Sequence, residues 1–371
     1  MPKEKKILYV YEFALDEKKG EPDALWNAVE KNLNGVKIAY AKGLSNQYSG
    51  GGTSLKRLVN FFYMHIACPF KILIEKPDLI FIRTTPPLIQ ISYGFWGRIF
   101  GAKTLLWLMD YHPLMGLRMS KHSPLKRAVW KFFDALDKLV LSKFSKVICL
   151  DKAMQDLIGK RARNVETFVS PTFNIAKAEW SDLSHPNKSG EIKLLYSGNL
   201  GRAHSTSRLE YLLKKLSKKR KLSLTFCGRS MQSKEILKKL ALSCSAEFEF
   251  HDFIKNYTDL GKFYAENKFD YGIVLLNDEL AGIVSPSKFS GFSSFGLPII
   301  YLGPKGTNAD ILCTEFKAGL SADSKEQIDE LAEKVLAPDT QAICAKNTRN
   351  SLEYFSPKAA ENLARELEKM L

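Results

Sequence analysis

The chain has 371 residues, of which 45% are hydrophobic and 26% charged, and it carries a formal net charge of +15. This is an ordinary globular composition with ample core material, enough for two domains or one large one. The six cysteines form no CxxC pair and sit mostly in apolar runs such as "KVICL" and "LTFCG", which excludes a zinc or disulfide framework and points to small buried hydrophobes in a reducing compartment.

The excess of positive charge calls for an anionic partner: nucleic acid, an anionic membrane surface or a polyanionic small substrate. The N-terminus, "MPKEKKILYVYEF", passes from charges straight into an apolar run and holds no signal-peptide block. No uninterrupted apolar stretch reaches the ~20 residues of a membrane span. The nearest, residues 58–74, is broken by Asn60, His65, Pro69 and Lys71. The expectation is a cytoplasmic protein, peripheral on the inner face of the plasma membrane.

In chain order, residues 6–13 read as a strand, 22–33 as a helix opened by Pro22, and "VKIAYA" as a second strand. Gly50, Gly51 and Gly52 mark a loop before an aromatic helix over residues 55–75. "PDLIFIRTTPPL" is a strand ending in polar residues, "LIQISYGFWGRIFG" a helix, and "AKTLLWLMDYHP" another strand ending in chemistry-capable side chains. "SKVICLDKAMQDLI" is a strand followed by a helix with Asp151 as its N-cap.

The polar, turn-rich "WSDLSHPNKSG" interrupts the pattern. It then restarts with "IKLLYSGNLG", a helix ending near Leu216, "KLSLTFCGR", a helix from Ser233, "EFEFHDFI", a helix over residues 257–267, "FDYGIVLLN", "PSKFSGFSSFG" and "LPIIYLGP". Two helical segments close the chain. Strand–helix alternation in both halves predicts an α/β protein with two parallel sheets. The expected division is residues 1–178, a linker at 179–189, residues 190–355 and a C-terminal helix at 356–371.

Two stretches carry most of the chemistry. In "LLYSGNLGRAHS", Gly198 and Gly201 follow a strand, and a glycine there lets backbone N–H groups approach a phosphate. In "GIVSPSKFSGFSSFGLPII", Pro286 suits a helix start, Ser285 and Ser287 can cap it, and Lys288 stands in the first turn. A cation there is disfavoured by the helix dipole unless an anion shares the site. The helix is rich in small residues, which allows close approach of a neighbour or ligand. In the first half, Asp110 and His112 of "MDYHPL" follow a buried strand, and a carboxylate or imidazole there is suited to orient or deprotonate a hydroxyl. The run "KHSPLKRAVWKFF" interleaves Lys126, Arg127 and Lys131 with Trp130, Phe132 and Phe133, a mix suited to an anionic membrane interface. No P-loop or nucleophile elbow is present.

"YSGNLGRAHS", "PSKFSGFSSFGLPII" and the order "PDLIFIRTTPPL … LLWLMDYHP … VICLDKAMQDLI" resemble the nucleotide-sugar glycosyltransferases of the GT-B fold, most of all the family-four-type enzymes of bacterial surface polysaccharide biosynthesis. The resemblance spans nearly the whole chain. It implies two Rossmann-like domains facing across a cleft, the last helix returning to the first domain, and a nucleoside-diphosphate sugar held by the second.

On that resemblance the donor side comprises Gly198, Asn199, Leu200, Gly201, Arg202, Gly228, Phe253, Glu279, Ser285, Pro286, Ser287 and Lys288. Asn199 and Leu200 would present N–H groups to the diphosphate, Arg202 and Lys288 would neutralise the leaving group, and "FHDFI" would pass the nucleobase. Asp110, His112, Arg202 and Lys288 are the expected catalytic residues, and Arg83, Thr84 and Thr85 the acceptor side. The implied reaction is retaining, needs no metal and no cofactor, and uses a glycan or polyprenyl-diphosphate-linked acceptor, with no nucleic acid involved. The sequence departs from the family where its paired glutamates fall on Ile283 and Gly291, and where an arginine is replaced by Asn199. An epimerase of the same fold and a non-catalytic basic binding protein are the alternatives.

Overall fold

The computed structural model describes residues 4–12, 24–44, 55–171, 190–201, 203–355 and 357–371. The expected linker at 179–189 and Arg202 lie outside the described residues. The chain divides into two compact units, one of residues 1–171, 282–285 and 357–371, the other of residues 172–281 and 286–356.

The first unit alternates β1 (Lys5–Tyr11), α1 (Ala24–Lys31), β2 (Val36–Lys42), α2 (Leu55–Glu75), β3 (Leu79–Arg83), α3 (Ile89–Ile99), β4 (Lys103–Trp107), α4 (His112–Met119), α5 (Pro124–Leu141), β5 (Lys146–Cys149), α6 (Lys152–Arg161) and β6 (Glu166–Val169). Its six strands pair in parallel in the order β2-β1-β3-β4-β5-β6. Strands covered on both faces must be apolar at every position, and Ile7, Leu8, Tyr9 and Val10 are all fully buried. Asp151 caps α6 as expected, accepting the Met154 N–H at 2.9 Å.

The second unit runs β7 (Glu191–Ser197), α7 (Ser207–Leu216), β8 (Lys221–Cys227), α8 (Met231–Ser243), β9 (Glu247–His251), α9 (Tyr257–Asn267), β10 (Tyr271–Leu275), α10 (Lys288–Ser294), β11 (Ile299–Leu302), α11 (Asn308–Thr314), β12 (Gly319–Ala322), α12 (Lys325–Leu336) and α13 (Thr340–Phe355). Its sheet is also parallel, in the order β9-β8-β7-β10-β11-β12. From β7 the chain winds outward to β8 and β9, then crosses to β10 and winds the other way. The connections leaving β7 and β10 therefore diverge, and that opening is where open α/β sheets take their ligands. α10 packs closely on the sheet through a glycine of β10: a Cβ on Gly272 would lie 2.5 Å from the Phe292 ring.

The last helix, α14 (Pro357–Met370), belongs to the first unit. Leu363 and Leu367 bury its apolar stripe. Lys146 bridges Glu366 at 2.5 Å and Glu166 at 2.6 Å, and Lys103 Nζ donates to the Met370 carbonyl at 2.7 Å.

One helix boundary departs from the sequence reading. α8 starts at Met231, because Ser230 accepts the Ser233 N–H and caps the helix two residues early. His112 opens α4, since Pro113 fits the first turn. The aromatic helix expected over residues 55–75 forms as one helix of 21 residues despite Pro69, long and apolar enough to cross a membrane by length and composition.

Candidate functional site

The turn after β7 is built by Gly198, whose φ of +82° is open to glycine and strained for other residues. Its N–H donates to the Cys227 carbonyl at 2.8 Å, and the next strand end is held alongside by Gly228, whose N–H reaches the His251 carbonyl at 3.1 Å. A Cβ on Gly198 would lie 3.6 Å from Lys288 Cε, so the turn and the start of α10 touch.

Lys288 is the centre of this group. Its Nζ donates to the Tyr196 hydroxyl at 2.5 Å and to the Asn199 carbonyl at 2.8 Å, and it stands 4.0 Å from the Tyr196 ring centroid. These partners are neutral, and among the described residues no carboxylate pairs with it. Burial without a counter-charge pushes its ammonium down to about 7. Two of its three N–H bonds are used, which leaves one for a ligand.

His204 faces the same turn. Its Nδ1 accepts the Gly201 N–H at 2.9 Å, and burial with the nearby Lys288 charge lowers the imidazole to about 4. The same Nδ1 stands 3.1 Å from the Gly201 carbonyl, so the ring is held against both polar groups of that residue, and it is neutral at physiological pH.

The backbone donors are distributed differently from expectation. The Leu200 N–H is taken by Ser233 Oγ at 2.9 Å, and that of Gly201 by His204. Neither is available to a phosphate, because the turn satisfies its own amides. Asn199 is exposed, and among the described residues no partner takes its N–H. Ser233, buried on α8, was not singled out by the sequence reading: a serine two residues inside a helix carries no motif.

Other expected donor residues are scattered around this centre. Phe253 is exposed after β9 with the Arg229 guanidinium 4.3 Å over its ring. Glu279 and Asp278 lie in a short 3-10 turn after β10. Asp278 is held by a two-pronged bond from Arg208, at 2.9 and 2.7 Å. Pro286 and Ser287 precede α10, but Ser287 makes no side-chain cap. Ser285 belongs with the first unit, as does Ile283, whose carbonyl accepts the Tyr111 N–H at 2.8 Å. Of the two positions where glutamates are replaced, Ile283 is buried, while Gly291 opens onto free space.

The first unit gathers its own group at the ends of β3 and β4. Thr84 is a structural residue: it is buried, and its Oγ1 accepts the Met109 N–H at 2.9 Å. Thr85 is half-buried beside it. Arg83 lies between aromatic faces, 5.0 Å from the Tyr11 ring and 5.2 Å from that of Trp107. The turn carrying Asp110 and His112 is anchored by Tyr111 between them. The Tyr111 hydroxyl donates to Asp137 and accepts from Arg161 Nε at 2.9 Å, and Gln90 donates to the same Asp137 at 2.9 Å. Surrounding protein raises the Asp110 carboxyl, with His112 opposing, and lowers the His112 imidazole, with Asp110 opposing. Asp110 remains exposed, so solvent weakens that push.

No protein-family profile matches the chain, and no curated protein matches it in sequence. Solved structures do match its fold. HepE from Anabaena, crystallised in complex with UDP-glucose, superposes with a TM-score of 0.62 at 13% identity, over 99% of this chain and 100% of that one. WaaG, a glycosyltransferase involved in lipopolysaccharide biosynthesis, gives 0.58 at 13% identity over 96% and 99%. WaaB, a lipopolysaccharide outer core galactosyltransferase, gives 0.62 at 12% identity over 98% and 99%. The chain shares the two-sheet GT-B architecture of these proteins.

Proposed function

We propose that this protein is a glycosyltransferase of cell-surface polysaccharide synthesis, moving a sugar from a nucleoside-diphosphate donor to a lipid-linked glycan at the cytoplasmic face of an anionic membrane. The observation that carries the reading is Lys288, a half-buried lysine whose described partners are all neutral, set beside a positive-φ glycine turn at the ligand-binding opening of a Rossmann-ordered sheet. Such a cation is costly until an anion joins it, and a diphosphate supplies that anion.

When the glycosidic bond to the donor phosphate breaks, negative charge builds on the departing diphosphate. The Lys288 ammonium and the Asn199 N–H act there as preorganised donors, with the neutral His204 ring beside them. Removing one such contact costs about 3 kcal/mol of barrier, roughly a hundredfold in rate. Arg202, one residue after Gly201, adds a second cation in this reading. Asp110 and His112 orient the acceptor hydroxyl, with His112 neutral and able to take its proton. The cations at the diphosphate take the place of a metal, so turnover survives chelation, and the product keeps the donor's anomeric configuration.

A thermal-shift panel of UDP, GDP, ADP, CMP and dTDP on wild type and Lys288→Ala tests the donor assignment. Saturating ligand stabilises the folded protein by about 2.7 kcal/mol at a hundred times Kd. A shift with one nucleotide, lost in the variant, is the expected result. Absence of a shift with all five refutes donor binding. An epimerase would convert the nucleotide sugar without acceptor, and chromatography of the nucleotide-sugar pool separates that outcome from transfer.

A further inference from the structure

The outer face of α2 is apolar where a surface helix is ordinarily polar. Asn60, Met64, Cys68 and Ile72, spaced by four, face the first unit's interior. The opposite stripe carries Phe62, Ile66 and Phe70, exposed by 52%, 66% and 62%. A helix apolar all round needs an apolar neighbour on each side, and no described residue of this chain covers the outer stripe.

The neighbouring helices extend the same surface. α3 packs between α2 and α5. It is tied to the first by His65 Nδ1 and Ser92 Oγ at 2.6 Å, and to the second by Gly94, where a Cβ would come within 2.6 Å of Val140. Phe95 and Ile99 of α3 and Val129 and Phe132 of α5 are likewise exposed on helices packed in series with α2. Exposed large apolar side chains in this number on three packed helices mark an interaction site.

Charge selects the partner. The three helices carry Lys56, Arg57, Lys71, Arg98, Lys126, Arg127, Lys131 and Lys138 against three acids. Glu75 is bridged to Lys6 at 2.6 Å, and Asp134 and Asp137 are buried against Arg161. The outer surface thus mixes apolar and basic side chains, with its carboxylates neutralised or turned inward.

We infer that the α2–α3–α5 face of the first unit is a docking surface for an anionic phospholipid bilayer, with α2 lying in the interface plane. α2 has the length of a membrane span, but its inner stripe is built into the fold. Asn60 Oδ1 accepts the Leu44 N–H at 2.7 Å, and Met64, Cys68 and Ile72 are buried. Spanning the bilayer would break these contacts; lying on it leaves them intact and buries only the outer stripe. This inference specifies the membrane contact in the proposed function, but it stands on its own surface and needs no donor.

The test is cosedimentation of the full chain with phosphatidylethanolamine vesicles containing phosphatidylglycerol, and with pure phosphatidylcholine vesicles, without nucleotide. Wild type is expected to bind the anionic vesicles and to release them as salt rises. Phe62→Ser with Ile66→Ser weakens binding on the order of a hundredfold, and each of Lys126→Gln and Lys131→Gln weakens it about fivefold. Unchanged melting temperature and UDP response in these variants show that fold and donor site are intact, so failure here is distinct from failure of the transferase reading. Absence of vesicle binding, or equal binding to both vesicle types, overturns the inference. So does a wild-type dimer in sedimentation that Phe62→Ser with Ile66→Ser converts to monomer, since the face would then serve a second copy of the chain.

Discussion

The low basicity of Lys288 makes diphosphate binding depend on pH in a calculable way. In the free protein the ammonium titrates near 7 through burial, against an ordinary 10.5. A diphosphate at Nζ supplies the missing counter-charge and moves the group back toward its ordinary value. Binding then draws in a proton wherever the free lysine has lost one. At about pH 7 half of the free molecules are already protonated, so the loss of affinity is about twofold; at about pH 9 only ~1% are, and the loss is about a hundredfold. Kd should therefore rise about fiftyfold from pH 7 to 9, with uptake approaching one proton at the upper end.

The ligand's terminal phosphate, with a second pKa of about 6, is fully ionised over this range and contributes little. Isothermal titration calorimetry in two buffers of different ionisation enthalpy reads both Kd and proton uptake. Lys288→Met should bind weakly at every pH with no uptake. Lys288→Arg, charged throughout, should lose the slope. A wild-type Kd flat between pH 7 and 9, with no proton taken up, would refute the reasoning. The same shift has a stability sign. The folded value lies below the unfolded one, so the unfolded chain holds more protons between about pH 7 and 10.5. Lys288's contribution to stability rises with pH through that window, and its full cost remains below it.

Other outcomes follow from local geometry. Gly198→Ala places a Cβ at φ +82°, costing about 1–2 kcal/mol in chemical denaturation and weakening UDP binding by distorting the turn that carries Asn199. Ser233→Ala removes the acceptor of the Leu200 N–H. It should cost about 1 kcal/mol and raise the UDP Kd by loosening the turn; an unchanged Kd would show that the turn holds itself. Gly291→Ala, in a helix and facing open space, should raise stability by about 0.5–1 kcal/mol. A double-mutant cycle on Arg208 and Asp278, whose carboxylate is largely exposed, should return a coupling of no more than about 1 kcal/mol by denaturant titration.

The sequence by itself determined the alternation of elements in both halves, because a buried parallel strand must be a short continuous apolar run and an amphipathic helix must repeat at 3.6 residues. α9 and the end of α7 fall where the periodicity puts them. Short, weakly apolar elements such as β6 and β12 were not legible, since four residues carry too little pattern. The glycine turn and Lys288 stood out as residue types in context. Their union did not, because β7 and α10 are some ninety positions apart and meet only through the sheet order. The assignment of the turn's amides to Ser233 and His204, the seizure of Asp278 by Arg208, and the outward face of α2 were likewise decided by tertiary structure. A side chain's hydrogen-bond partner and its exposure depend on neighbours that the linear order does not specify.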